Sequence, residues 1–268
     1  MNESKTLRKG EPQMKEVLYE KKGRIYYITL NRPDKLNSIT SNMINELQEV
    51  WKDFRDDDGC WVAVLSGAGR AFCSGAAVGN LLTEKWSISQ SIVIGNRVLG
   101  PTRNKIWKPI IAALHGYVFG GGFWLAMECD LRVAADDTLF SLPEPKIGFP
   151  TTFAAFLPRF VPRGIAAELL LVADRINAQR AYELGFVNKV VPLDDLMKEA
   201  TALAGRICEN APLAVQAMKK VILRSMGLDY QNILNLTEEI YLPVCESEDA
   251  KEGIKAFEEK RKPKWKYK

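Results

Sequence analysis

Short apolar runs bounded by turn residues alternate with stretches of helical period along most of the chain. Val17 to Glu20 and Arg24 to Leu30 read as two strands around a Lys21-Lys22-Gly23 turn. Asn31-Arg32-Pro33 ends the second strand, because proline has no N–H to give to a ladder. Thr40 or Ser41 can cap a helix to about Phe54, with Met43, Leu47, Val50, Trp51 and Phe54 at helical spacing. Trp61 to Ser66 and Pro109 to Leu114 are apolar runs of strand length, which predicts strands covered on both faces. Leu131 to Ala134 and Thr138 to Leu142 follow as further strands. Helices are predicted over 164–173, 178–184, 194–208, 212–226, 229–245 and 249–260, and a loop with an irregular helix over 80–105. The character changes near residue 194, from mixed α/β to nearly all helix. The expected organisation is an α/β core over 1–193, of which 1–13 is a loose extension, and a helical section over 194–268.

Two glycine-rich turns follow buried strands. The first is Gly67-Ala68-Gly69-Arg70-Ala71-Phe72-Cys73-Ser74-Gly75-Ala76-Ala77; the second is His115 to Met127, with three consecutive glycines at 120–122. A glycine triplet weakens any strand or helix, so its use is backbone shape or close approach to the backbone. At a strand-to-helix junction it also leaves free N–H groups at the positive end of a helix dipole. An oxyanion site and a tight packed turn both fit this stretch.

Composition narrows the classes. Hydrophobic content of 47% and charged content of 26% are ordinary for a globular chain. The net charge of +4 is local: Lys251 to Lys268 holds eight Lys/Arg against three Glu. No basic stripe runs through the body, so no nucleic-acid footprint is expected. The five cysteines are odd in number and without CxxC spacing, which suits reduced thiols in a cytoplasmic setting. One histidine, His115, leaves no His-rich metal site, and placed at the end of a buried strand it is expected to pack rather than serve a Ser-His-Asp triad. Pro109 to Met127 carries no Asp, Glu, Lys or Arg, yet its four glycines argue for strand, turn and helix rather than a membrane span.

The order of turns resembles the crotonase, or enoyl-CoA hydratase/isomerase, superfamily. The matching segments are Asn31-Arg32-Pro33-Asp34-Lys35-Leu36-Asn37-Ser38, Arg70 to Ala76, Gly116 to Asp130, Phe140-Ser141-Leu142-Pro143-Glu144 with Ile147-Gly148, Ala178 to Pro192, and Gly253 to Arg261. The resemblance implies a spiral of ββα units with two stacked sheets, and a C-terminal helical section that makes homotrimers or hexamers. It implies an acyl-CoA thioester as substrate, with no cofactor, metal, nucleic acid or membrane. Carried over, the N–H groups of Ala76 and Gly121 hold the thioester oxygen. The Lys35-Leu36-Asn37 segment and Ala71 line the CoA channel by backbone contact, and Phe257 and Lys260 reach the CoA of an adjacent subunit.

One departure bears on the chemistry. Typical hydratases of the family use two glutamates; the later one is present as Glu144, and Trp124 stands where the first belongs. An indole N–H only donates, so it replaces neither an acid nor a base. Glu144 is expected to act as sole acid/base, and Trp124 either stacks on a flat acyl group or fills space. Glu128, one turn beyond Trp124, is expected to turn into the packing around the helix. Ala77 and Thr151-Thr152 also depart from the family pattern. The reading is a hydratase of an unsaturated acyl-CoA, cyclic or aromatic acyl groups included. The alternatives are an enoyl-CoA isomerase, a thioester hydrolase or decarboxylase on the same fold, and a non-catalytic acyl-CoA- or RNA-binding relative.

Overall fold

The computed structural model describes residues 15–77 and 100–268. The extension read at 1–13 and most of the irregular stretch read at 80–105 lie outside them. Strands β1 (Val17–Lys22), β2 (Ile25–Leu30), β3 (Val62–Gly67), β4 (Ile110–Leu114), β6 (Leu131–Ala135) and β9 (Lys189–Val191) form a six-stranded sheet in that order. A second sheet runs β5 (Tyr117–Phe119), β7 (Leu139–Ser141), β8 (Ile176–Asn177). Only β1–β2 and β7–β8 are antiparallel; the other pairs are parallel, as crossover connections require. The two sheets expected from the resemblance are therefore present. The three strands that sequence reading did not assign, β5, β8 and β9, are only two or three residues long and carry too little period to read.

The central strands are buried on both faces, as their continuous apolar runs predict. Alternate residues of β3 enter two separate cores: Ala63 and Leu65 join the larger, Val62 and Val64 the smaller. Helix α1 (Ser41–Asp56) covers the first face with Met43, Leu47, Val50, Trp51 and Phe54, all buried. Thr40 caps it, its hydroxyl accepting from the Met43 N–H at 3.0 Å. The second face is covered by α5 (Leu196–Cys208) through Leu196, Ala200 and Ala204. Between them in the chain come α2 (Gly121–Glu128), α3 (Arg163–Leu171) and α4 (Ala178–Glu183).

Helices α6 (Pro212–Arg224), α7 (Tyr230–Cys245) and α8 (Glu248–Glu258) complete the chain. Two buried lysines tie α6 to the core. Lys219 Nζ is 2.6 Å from Asp130 Oδ2 and donates to the Lys108 carbonyl at 2.9 Å. Lys108 Nζ in turn donates to the carbonyls of Phe54 and Asp57. Removing one partner of such a buried pair typically costs about 3–5 kcal/mol, because the other charge is stranded. Outward, these helices expose large apolar side chains, among them Ile222 (67% exposed), Leu242 (61%) and Phe257 (86%). No helix among the described residues is long and apolar enough to cross a membrane.

Candidate active site

The two glycine-rich turns meet. Cys73 lies in a parallel bridge with Val118: its N–H donates to the Tyr117 carbonyl and its carbonyl accepts from the Phe119 N–H, both at 3.0 Å. The point at which a Cβ on Gly75 would stand is 3.0 Å from the Phe119 carbonyl oxygen and 3.5 Å from the Gly121 nitrogen. The corresponding point on Gly121 is 3.9 Å from the Ala76 nitrogen. Ala76 also bridges to Ile39, and that bridge uses the Gly75 carbonyl and the Ala77 N–H, leaving the Ala76 N–H out of the ladder. Gly121 is the first residue of α2, where an N–H has no intrahelical acceptor. Among the described residues no backbone acceptor takes either N–H. The turns thus bring Ala76 and Gly121 together with two free donors, one at a helix start, and such a pair is suited to holding an oxyanion.

Glu144 stands beside this pair. Parallel pairing of β5 with β7 puts Phe119 opposite Ser141, and the Gly120 N–H donates to the Ser141 carbonyl at 3.0 Å. The chain then turns at Pro143 into a single 3-10 turn, Glu144–Ile147, closed by the Phe149 N–H on the Glu144 carbonyl. Glu144 Oε1 comes to 2.5 Å from where a Cβ on Gly120 would lie, and Gly120 has φ +51°. Only glycine satisfies both the backbone angle and the space. Glu144 Oε2 is buried and has no hydrogen-bond partner among the described residues. Burial disfavours the charged form and, outweighing a hydrogen bond from the residue's own backbone, pushes the carboxyl up to about 6.

Trp124 lies on α2, 9% exposed, with its ring 5.6 Å from that of Phe156 at a tilt of 50°. Phe156 is 42% exposed, so this aromatic pair reaches from the core to the surface. Phe123 points into the core, stacked on Phe186 at 4.8 Å. Glu128 accepts the Thr102 N–H at 3.0 Å, and a Cβ on Gly100 would sit 2.6 Å from its carboxylate oxygen. It packs against that turn, as expected. His115 Nε2 lies 2.9 Å from the Gly69 carbonyl and is likewise a packed group.

The CoA-channel candidates Lys35, Leu36 and Ala71 form one knot through Asn37 of the same segment, whose side-chain clamp the sequence did not reveal. Asn37 is fully buried at φ +53°. Its amide accepts from the Arg32 N–H at 2.7 Å and donates to the carbonyls of Ala68 (2.9 Å) and Ala71 (2.8 Å). The Leu36 carbonyl takes the Ser74 N–H at 3.0 Å. The loop from Pro33 to Asn37 is thereby strapped to the turn that carries Ala76. Lys35 is exposed, Leu36 half-buried and Ala71 fully buried. The signal for Asn37 was an asparagine in a proline-led turn, a residue type that tolerates positive φ. Phe257 and Lys260 stand apart from this group. Both lie exposed at the end of α8, and among the described residues no hydrogen bond or ion pair links them to Glu144 or the glycine turn.

Known proteins share this arrangement of chain. The family model described as enoyl-CoA hydratase/isomerase matches residues 20–268. The short-chain-enoyl-CoA hydratase of Clostridium acetobutylicum is 34% identical over 260 residues, 93% of this chain and 97% of that protein. The (E)-benzylidenesuccinyl-CoA hydratase of Thauera aromatica is 35% identical over 252 residues, 92% and 97%. The crystal structure of an enoyl-CoA hydratase from Mycobacterium tuberculosis H37Rv superposes with a TM-score of 0.89 at 38% identity, covering 95% of this chain and all of that one.

Proposed function

The chain belongs to the enoyl-CoA hydratase/isomerase family, and we propose that it is a hydratase of an unsaturated acyl-CoA that works with one carboxylate. The observation that carries this reading is Glu144, a buried carboxylate set against a pair of N–H donors that no backbone acceptor takes among the described residues. In the proposed reaction, ionised Glu144 takes a proton from water as its oxygen bonds to the β-carbon of the acyl group. The electron pair of the double bond moves to the thioester, whose oxygen becomes an enolate held by the N–H groups of Ala76 and Gly121. Protonated Glu144 then returns its proton to the α-carbon, and the carboxylate is regenerated. Water is consumed and nothing else, so no cofactor is called for. One such N–H donor typically contributes about 3–4 kcal/mol to the barrier. A carboxyl brought close to the working pH suits a group that must both take and give the proton.

The proposal assigns Lys35, Leu36 and Ala71 to the CoA channel. It assigns Phe257 and Lys260 to the CoA of a neighbouring subunit in a homotrimer or a pair of trimers, an assembly that would also cover the apolar side chains exposed on α6 to α8. Trp124 and Phe156 are assigned to the acyl group, where two tilted rings favour a flat, conjugated acyl chain such as a cyclic or aryl one. A single carboxylate also suits a double-bond isomerase, which needs one proton shuttle. The test is turnover of a panel of enoyl-CoA thioesters, aryl and cyclic ones included, in oxygen-labelled water. Label on the β-carbon of an intact thioester supports hydration, label in a released acid supports hydrolysis, and an unlabelled, shifted double bond supports isomerisation.

A further inference from the structure

At the opposite end of the sheet from Glu144 lies a second concavity that the proposed hydration does not use. Its floor is set by Arg24 and Trp61, the residues just before β2 and β3, and those two strands run parallel. Ala76 and Gly121 lie beyond the other ends of the strands. The wall is the last stretch of the chain, Lys262 to Trp265, with Cys208 and Glu209 at the end of α5 between them. The cavity holds about 460 Å³, within the range that takes a small ligand.

The wall is fastened rather than draped. Asp249, fully buried at the start of α8, accepts the N–H groups of Lys266 (2.7 Å) and Tyr267 (2.9 Å), and Gln216 donates to the Tyr267 hydroxyl at 2.9 Å. Both indoles are held by their own N–H groups, Trp61 on the Asp58 carbonyl at 3.1 Å and Trp265 on the Glu209 carbonyl at 2.8 Å. Arg24 sits over Trp61, its guanidinium carbon 3.3 Å from the ring centre.

The charge pattern indicates what belongs there. In this tail Arg261 is paired with Glu252 and Glu259, Lys255 with Glu259, and Lys266 with Glu248. The three cations that line the cavity, Arg24, Lys262 and Lys264, have no ion pair among the described residues; Glu209 is the carboxylate in the lining, and Glu252, which accepts the Lys264 N–H at 2.7 Å, is taken up by Arg261. Two excess positive charges in the lining ask for an anion of more than one charge, and the Trp265 indole beside them, held by its N–H, suits a ligand that carries a ring. We propose that this concavity is a binding site for a flat-ringed phosphate of the nucleoside diphosphate kind, with phosphate on Lys262, Lys264 and Arg24 and the ring against Trp265.

ADP is the probe, titrated into the full-length protein and read by calorimetry and by tryptophan fluorescence. The expected result is saturable binding that quenches the indole signal and is about tenfold weaker in the Lys262→Gln/Lys264→Gln double variant. Arg24→Gln is expected to act in the same direction, while Lys260→Gln, which belongs to the CoA route, leaves ADP binding unchanged. Turnover of a short enoyl-CoA by the double variant at the wild-type rate shows that it is folded. The proposal is overturned if ADP fails to saturate, if the double variant binds it as wild type does, or if Lys260→Gln abolishes it. Inorganic phosphate that binds as tightly as ADP would remove the ring from the site.

Discussion

The Glu144 carboxylate rests on the backbone of Gly120, with Oε1 2.5 Å from the point where any side chain on residue 120 would begin. Glycine at 120 therefore does two things: it takes a φ of +51° and it leaves the space into which the carboxylate settles. Gly120→Ala is expected to lose most of its turnover and to lower stability by about 1–3 kcal/mol, from a strained backbone and a displaced carboxylate. Gly148→Ala is the control, because Gly148 also has positive φ but open space around it. It should lose some stability, read by urea denaturation, and keep a far larger share of its turnover.

Burial holds the Glu144 carboxyl at about 6, so the base is in its working form only above that pH. The expected profile of kcat/KM climbs as pH rises through about 6 and is level beyond it. Stability moves the other way. A carboxyl raised in the folded state favours folding while it is neutral, and that contribution is lost as pH rises from the usual carboxylate range through about 6. Glu144→Gln, neutral at every pH, should therefore gain up to about 2 kcal/mol over wild type at neutral pH and nothing in acid below the usual carboxylate range. Urea titrations at the two pH values check the difference.

Asn37 fastens the Lys35–Leu36 loop to the turn that carries Ala76 through three hydrogen bonds, all made by a fully buried amide. Asn37→Ala leaves one N–H and two carbonyls without that partner, and each buried group so orphaned costs about 1–3 kcal/mol. Thermal unfolding should shift down. At a temperature where the variant is folded, KM for the acyl-CoA should rise, because the loop assigned to CoA is no longer held.

Trp124, at the position of the first glutamate in the resemblance, pairs with Phe156 as two tilted rings. Trp124→Ala is expected to cut kcat/KM for aryl or cyclic enoyl-CoA thioesters by about tenfold relative to a short straight-chain one. Equal losses on both classes would make Trp124 a packing residue only.

Much of this was legible in the sequence because the relevant signals are local. The glycine triplet and the continuous apolar strands each carry their own physical mark, and the ordered motifs join them into one fold. Glu128 and His115 were read correctly as packed groups. What was not legible depends on pairing at a distance. Strand β5 is three residues between Gly116 and Gly120, and it is a strand only because β7 and Cys73 lie alongside it. The clamp made by Asn37 needs the carbonyls of Ala68 and Ala71, more than thirty positions away. The approach of Glu144 to Gly120 follows from the pairing of Phe119 with Ser141, which no window of sequence contains.

The central claim is that Glu144 alone carries the proton in a hydration held by Ala76 and Gly121. Its most direct test is kcat for Glu144→Gln on the best substrate of the enoyl-CoA panel, with the variant shown to be folded. The account predicts a fall of at least about a hundredfold, the size of a lost general acid and base. A Glu144→Gln enzyme that turns over as wild type does would contradict it.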